Sequence, residues 1–285
     1  MNTVPEALSA ESPVTGLLRF GISTPGGALA AAERDVTADA VGVPPEAVLW
    51  FTDFAAAAPV AEIGALTAAG VTPIVTWEPW RALGAGRYDR AAFPLAAIAA
   101  GAHDDHVRGW ARALAPYRVG LRFAHEFNGD WYPWSGAPEV YVAAWRRLHA
   151  LFAAEEAAVW WIWAPNAPFE RVPLEWYPGD GYVDVLGVDG YNWGTSQPWS
   201  RWVEPDELFG PALAALGGLG KPILVTEVGC AEAGGDKPAW ITALVALLAA
   251  DPAVTGFVWF DHDKETDWRL TSSPESARAL RGALR

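Results

Sequence analysis

Lysine is almost missing from this chain: Lys221, Lys237 and Lys264 are the only three in 285 residues. Lys and Arg together number 20 against 34 Asp and Glu, leaving a formal net charge of −14. A chain of that sign repels polyanions, which excludes nucleic acid and anionic membrane surfaces as natural partners. Cysteine is equally scarce. Cys230 stands alone, so no internal disulfide can form and stability must come from the core, a condition compatible with the cytoplasm or with export. Long apolar runs are missing too. None reaches the ~18 residues that span a bilayer, and the nearest, Ala239 to Ala250, reads as a buried helix. Met1 to Gly16 carries Glu6 and Glu11 with neither a basic stretch nor an apolar one. It reads as an N-terminal extension without signal-peptide character, so the expected location is the cytoplasm, or outside after loss of a leader.

Apolar material, by contrast, is plentiful. Hydrophobic residues make up 52% of the chain and charged ones 19%, ample for a large core and unlike a disordered chain. Tryptophan is abundant, at 17 residues. Each indole by itself suits core packing, but flat aromatic faces also stack on the apolar faces of sugar rings.

Eight short, β-rich apolar runs punctuate the chain: Leu17–Ile22, Val48–Phe51, Val71–Trp77, Gly120–Ala124, Val159–Ala164, Val183–Val188, Ile223–Val228 and Thr255–Phe260. Ala-rich stretches with helical spacing lie between them, at Ala55–Ala69, Asp104–Ala115, Pro138–Ala154, Asp206–Leu216 and Pro238–Ala250. Continuous apolar strands alternating with helices indicate a parallel sheet covered on both faces. The count of eight favours an α/β fold of one (β/α)8 TIM barrel over an open doubly wound sheet. Barrels of this kind run to roughly 250 residues in one domain, so the expected division is an extension over 1–16 and a catalytic barrel over 17–285. The mixed segment from Arg81 to Gly101 reads as an elaborated loop after the third strand.

Catalytic side chains of such barrels sit at the C-terminal ends of strands. In this chain those ends read Trp77-Glu78-Pro79-Trp80 on the third, Arg122 to Gly129 on the fourth and Trp161 to Asn166 on the fifth. They continue as Asp189-Gly190-Tyr191-Asn192, Thr226-Glu227-Val228-Gly229 and Trp259-Phe260-Asp261-His262. Two of them carry an isolated carboxylate after an apolar run, Glu126 and Glu227, on strands that face each other across the mouth. Glycosidic cleavage needs such a pair. One carboxylic acid protonates the leaving oxygen while the other attacks, or activates water at, the anomeric carbon. Either Glu alone would suit a cap or a salt bridge equally well.

The block His125-Glu126-Phe127-Asn128-Gly129-Asp130-Trp131-Tyr132-Pro133-Trp134 resembles the fourth-strand motif of glycoside hydrolase family 26, retaining barrel enzymes that are mainly β-mannanases, with mixed-linkage β-glucanases and some xylanases. The likeness continues through Asp184 to Asn192 and Val225 to Gly229, in the same order. The resemblance implies Glu126 as acid/base and Glu227 as nucleophile in a double displacement. It places His125 against the sugar at the cleavage point, Tyr191 as hydrogen-bond donor to the nucleophile, Asp189 in support, Arg122 as positive charge beneath, Trp131 as a stacking wall and Trp259 on the floor. Trp77, Glu78 and Trp163 complete the expected sugar-binding set. An open cleft would be lined by Trp77, Trp80, Trp131, Trp134, Trp163, Trp193 and Trp199.

The implied activity is cleavage of β-1,4-linked mannan-type polysaccharide without metal or cofactor; the sequence is silent on oligomeric state, and a monomer is the expectation. One departure bears on the sugar: mannanases resembling this chain carry a His near the end of the third strand, where this sequence has Glu78 and its neighbours, a tip closer to the glucanase type. A mixed-linkage β-glucanase, and a carbohydrate-binding protein without turnover, are the alternatives. Other signals are weaker. His103-Asp104-Asp105-His106 reads as a solvated helix start rather than a metal site. Asp261, His262, Asp263 and Asp267 read as a polar loop, Ser23 to Gly27 lacks what a phosphate loop needs, and Cys230 reads as a small buried residue.

Overall fold

The computed structural model describes residues 18–285. The expected extension over 1–16 lies outside the described residues, as does Leu17.

Eight parallel strands close into a barrel: β1 (Arg19–Ser23), β2 (Ala47–Asp53), β3 (Thr72–Glu78), β6 (Val119–Phe123), β7 (Val159–Trp163), β8 (Val185–Asn192), β9 (Ile223–Cys230) and β10 (Val254–Phe260). The ring runs β1-β10-β9-β8-β7-β6-β3-β2. Each strand corresponds to one of the eight apolar runs, with ends moved by a few residues. The segment after β3 holds more than a loop. An antiparallel hairpin of β4 (Arg81–Gly84) and β5 (Arg87–Asp89) precedes the short helix α1 (Leu95–Ala99).

The barrel interior is a cluster of its own, built from Leu49, Ile74, Trp160, Ile162, Val185, Leu224 and Val258. The interior is packed closely enough to need a glycine in its wall. Gly120 pairs with Trp160 in register, and a Cβ there would meet Ile162 Cδ1 at 2.8 Å. Helices cover the outside. The longest, α2 (Pro138–Ala154), starts with Pro at its first turn, where no intrahelical N–H is lost, and buries Tyr141, Ala144, Trp145, Leu148, Leu151 and Phe152 at three- and four-residue spacing. Helix α3 (Lys237–Ala250) is capped by the Asp236 carboxylate, which accepts from Ala239 N at 2.9 Å.

Strand alternation then corrects three expectations. Side chains in a strand alternate between faces. With Ile74, Ile162 and Val258 pointing inward, Trp77, Trp163 and Trp259 point outward, into the helix layer. Trp77 is fully buried, stacked between Phe54 at 4.5 Å and Trp110 at 4.2 Å. Trp163 packs on Phe127 and donates to the Trp176 carbonyl at 3.1 Å. Trp259 faces Trp240 of α3 and donates to the Trp268 carbonyl at 2.9 Å. These three are core residues rather than sugar-binding ones, because an odd step from an inward residue turns the side chain away from the mouth.

Candidate active site

Glu227 lies within β9, not at its end, and a register shift aims it. Val188 of β8 pairs with Val225, but the next residue, Asp189, pairs with Glu227, so Thr226 is skipped. Neighbouring side chains of a regular strand face opposite ways, whereas a bulge re-aims one of them. Thr226 and Glu227 therefore both turn toward the barrel axis.

At that level Arg122, on β6, is completely buried and ties the centre together. Its Nε donates to Thr76 Oγ1 at 2.9 Å, its Nη1 to Asp189 Oδ2 at 2.6 Å, and its Nη2 to Glu227 Oε1. Thr226 Oγ1 donates to the other Asp189 oxygen at 2.5 Å, and the Tyr191 hydroxyl donates to Glu227 Oε2. Both oxygens of Glu227 are thus held by donors. Burial alone would lower the Arg122 guanidinium, but Asp189 and Glu227 beside it hold it above its ordinary value. A buried charge of this kind is tolerable only with its partners in place.

Glu126 follows β6 on a strained turn. Ala124 and Glu126 adopt φ of 45° and 51°, a left-handed conformation uncommon in residues other than glycine. The strain is held by Glu126 N donating to the Ala164 carbonyl at 2.8 Å and by Trp134 Nε1 donating to the His125 carbonyl at 2.7 Å. Trp131, 44% exposed, donates its Nε1 to Glu126 Oε2 at 2.8 Å. Burial, and next the neighbouring Glu227, push the Glu126 carboxyl up from 4.5 to about 8. The two carboxyls sit in different settings: both oxygens of Glu227 accept from Arg122 and Tyr191, while Glu126 is buried and retains its proton.

His125 is buried, and burial first and Arg122 second hold its imidazole well below its usual value, so the ring is neutral. Its Nε2 lies 3.9 Å from Glu227 Oε1, and its Nδ1 has no partner among the described residues. Glu78 closes β3 at 6% exposure and accepts from Trp80 Nε1 at 3.2 Å. Burial pushes its carboxyl up to about 8 as well. Potential ligand atoms of His125, Asp189 and Glu227 lie within 4.8 Å of one another, the arrangement of a small metal site. The Arg122 guanidinium already bridges the two carboxylates of that group, so the donor set does not fit a resident cation.

A family model described as glycosyl hydrolase family 26 matches residues 100–235. Endoglucanase H of Acetivibrio thermocellus is 38% identical over 250 residues, 82% of this chain and 26% of that protein. The chain belongs to glycosyl hydrolase family 26. A second relative, mannan endo-1,4-beta-mannosidase A and B of Caldalkalibacillus mannanilyticus, is 24% identical over 166 residues, 53% of this chain and 30% of that protein. The chain therefore spans less than a third of the length of either relative. In fold it resembles a family 26 β-mannanase from Bacteroides ovatus, with a TM-score of 0.74 at 20% identity over 99% of this chain and 94% of that one. It also resembles the catalytic domain of a Bacillus family 26 endo-β-1,4-mannanase, with a TM-score of 0.69 at 19% identity over 99% of this chain and 89% of that one.

The family 26 match takes in Arg122, His125, Glu126, Asp189, Tyr191 and Glu227, but β1 to β5 and β10 lie beyond it. Residues beyond the match complete the site: Glu78 of β3, which the sequence offered, and others that it concealed. Phe260, not Trp259, faces the centre from β10, its ring 5.6 Å from Tyr191 and 6.3 Å from Phe51. Phe51 in turn lies 5.6 Å below the Arg122 guanidinium and 5.8 Å from His125. Counting two residues on from inward-facing Val258 and Leu49 would have found both. Lys264, on the loop after β10, pairs with Glu265 at 2.8 Å and adds positive charge felt by Glu78, Glu126 and His125. No periodicity marks a loop lysine. His103 and His106 do not join the site: both rings pack on Phe54, and Asp104 pairs with Arg147 at 2.6 Å. Cys230 is buried, and burial pushes its thiol up to about 12.

Proposed function

We propose that this chain is a retaining endo-β-1,4-glycanase, with Glu227 as nucleophile and Glu126 as acid/base. The observation that carries the proposal is the contrast between those carboxyls: Arg122 and Tyr191 hold both oxygens of Glu227, while Glu126 is buried and pushed up to about 8. In the first step a Glu227 oxygen attacks the anomeric carbon. The glycosidic C–O bond breaks, and the Glu126 proton passes to the leaving oxygen. Trp131 occupies Glu126 Oε2, which leaves Oε1 to carry that proton. Arg122 and Tyr191 fix the attacking carboxylate and stabilise it when it departs again. In the second step water gives its proton to Glu126, now a carboxylate, and its oxygen replaces Glu227 at the anomeric carbon. Exposed Trp131 offers its face to the leaving-group sugar beside the acid.

The sugar backbone has two readings. The mannan-type reading draws on the mannosidase at 24% identity. β-Glucan has the stronger support, from the endoglucanase at 38% identity and from the tip of β3, where Glu78 and its neighbours stand in place of the His that the resemblance expects of mannanases. A buried carboxyl that keeps its proton to about pH 8 can donate a hydrogen bond to a sugar hydroxyl, which a carboxylate cannot. Reducing-sugar release from mannan, glucomannan, barley β-glucan and xylan separates the readings. Release from β-glucan with mannan untouched is the expected outcome. Release from mannan alone would reverse the order of the two backbones, and silence on all four would overturn the glycanase proposal.

A further inference from the structure

Of the seven indoles expected along the cleft, two mark a path that leads away from the reacting centre. Tyr191, whose hydroxyl holds Glu227, has its ring 6.4 Å from that of Trp193. Trp193 stands edge-on against buried Trp268 at 4.8 Å and lies 5.1 Å from Trp199. Trp199 is 71% exposed, the largest exposure among the large apolar side chains described. Single exposed indoles are ordinary, but an unbroken aromatic run from a reactive carboxylate to the rim is the mark of a ligand groove.

The loop that presents Trp199 is tied down by its own hydrogen bonds. Asn192 Oδ1 accepts from Gly194 N at 3.1 Å and from Val203 N at 3.0 Å, closing the loop at its base. Ser200 Oγ, beside the indole, donates to the Gly194 carbonyl at 2.8 Å and accepts from Gln197 N at 3.1 Å. Thr195 N donates to the Ala233 carbonyl at 3.0 Å, and Gly194, at φ 51°, sits so close to that carbonyl that a Cβ would fall 1.8 Å from it. A loop ordered before its ligand arrives loses little further backbone freedom on binding, so more of the stacking energy appears as affinity. Trp131 serves the acid/base side in a comparable way; Trp193 and Trp199 have no counterpart role within the first step of the reaction.

We propose that Trp193 and Trp199 form a distal subsite on the nucleophile side of the cleft, stacking a further pyranose unit of the β-1,4-linked chain whose reacting sugar lies at Glu227. This inference rests on the glycanase reading. The subsite makes the enzyme favour longer chains, since short oligosaccharides end before they reach Trp199.

The test compares kcat/KM on oligosaccharides of three and six units, prepared from whichever polysaccharide the wild type cleaves, for wild type, W199A and W199F. The expected result is a fall of about three- to tenfold in the six-to-three ratio for W199A, carried by KM, with most of it restored in W199F. A ratio in W199A equal to that of wild type would overturn the subsite. So would an equal loss on both lengths, which would mean that Trp199 supports the loop without touching sugar. Failure of the glycanase reading is distinguishable, because there the wild type itself releases nothing, and the subsite falls with it.

Discussion

E227A is expected to lose polysaccharide cleavage by at least about 10⁴-fold while still binding oligosaccharide and remaining folded. The size follows from the role. Without the carboxylate no glycosyl–enzyme bond can form, and no neighbour can substitute: Asp189, the nearest alternative, accepts from Arg122 Nη1 on one oxygen and Thr226 on the other. Folding should survive for a related reason. Arg122 loses one of its carboxylate partners but keeps Asp189 at 2.6 Å and Thr76 at 2.9 Å, so its buried charge is not left bare. Reducing-end release and calorimetric oligosaccharide binding on the same preparation check both halves. Cleavage within about tenfold of wild type would place the nucleophile elsewhere.

E126A should behave differently. On unactivated polysaccharide its kcat/KM is expected to fall by about 10²–10⁴-fold, the range for loss of a positioned general acid. On an aryl glycoside with a good leaving group the first step needs no proton, so the loss moves to the second step, and azide should accelerate turnover by attacking without a base. The pH profile carries a second signature. Burial and the adjacent Glu227 raise the Glu126 carboxyl from 4.5 to about 8, so the proton is present below that value and lost as pH rises through it. Wild-type kcat/KM should therefore decline above about pH 8, and E126A on the activated substrate should lack that limb. Glu78, also raised to about 8, is separated by E78Q, in which the limb should persist. Wild-type activity of E126A on polysaccharide would sink the assignment.

The barrel was legible because its strands are buried on both faces and so read as continuous apolar runs, a pattern that survives errors of a few residues at each end. The polar tips of those strands were legible for the same reason: Glu126, Glu227, Arg122 and Asp189 interrupt runs that a core alone would keep apolar. What the runs hide is which way each side chain points. Trp77, Trp163 and Trp259 look like a sugar-binding floor because they stand near the polar tips, yet each is an odd step from an inward residue and belongs to the helix layer. The skip of Thr226 that turns Glu227 inward depends on how β8 and β9 pair, which no single strand encodes. The left-handed turn at Ala124 and Glu126 was invisible as well, since neither residue is the glycine or asparagine that marks such turns. The loops after β8 and β10 follow no period: Trp199 was expected along the cleft by residue type alone, and Lys264 was not expected at all.

The most direct measurement of the central claim is proton NMR of the first sugar released from the polysaccharide that this chain cleaves, recorded before mutarotation. A covalent intermediate on Glu227 requires two displacements at the anomeric carbon, and the new reducing end must then appear first as the β anomer. Initial release of the α anomer would mean a single displacement by water, with Glu227 as a base, and would contradict the double displacement.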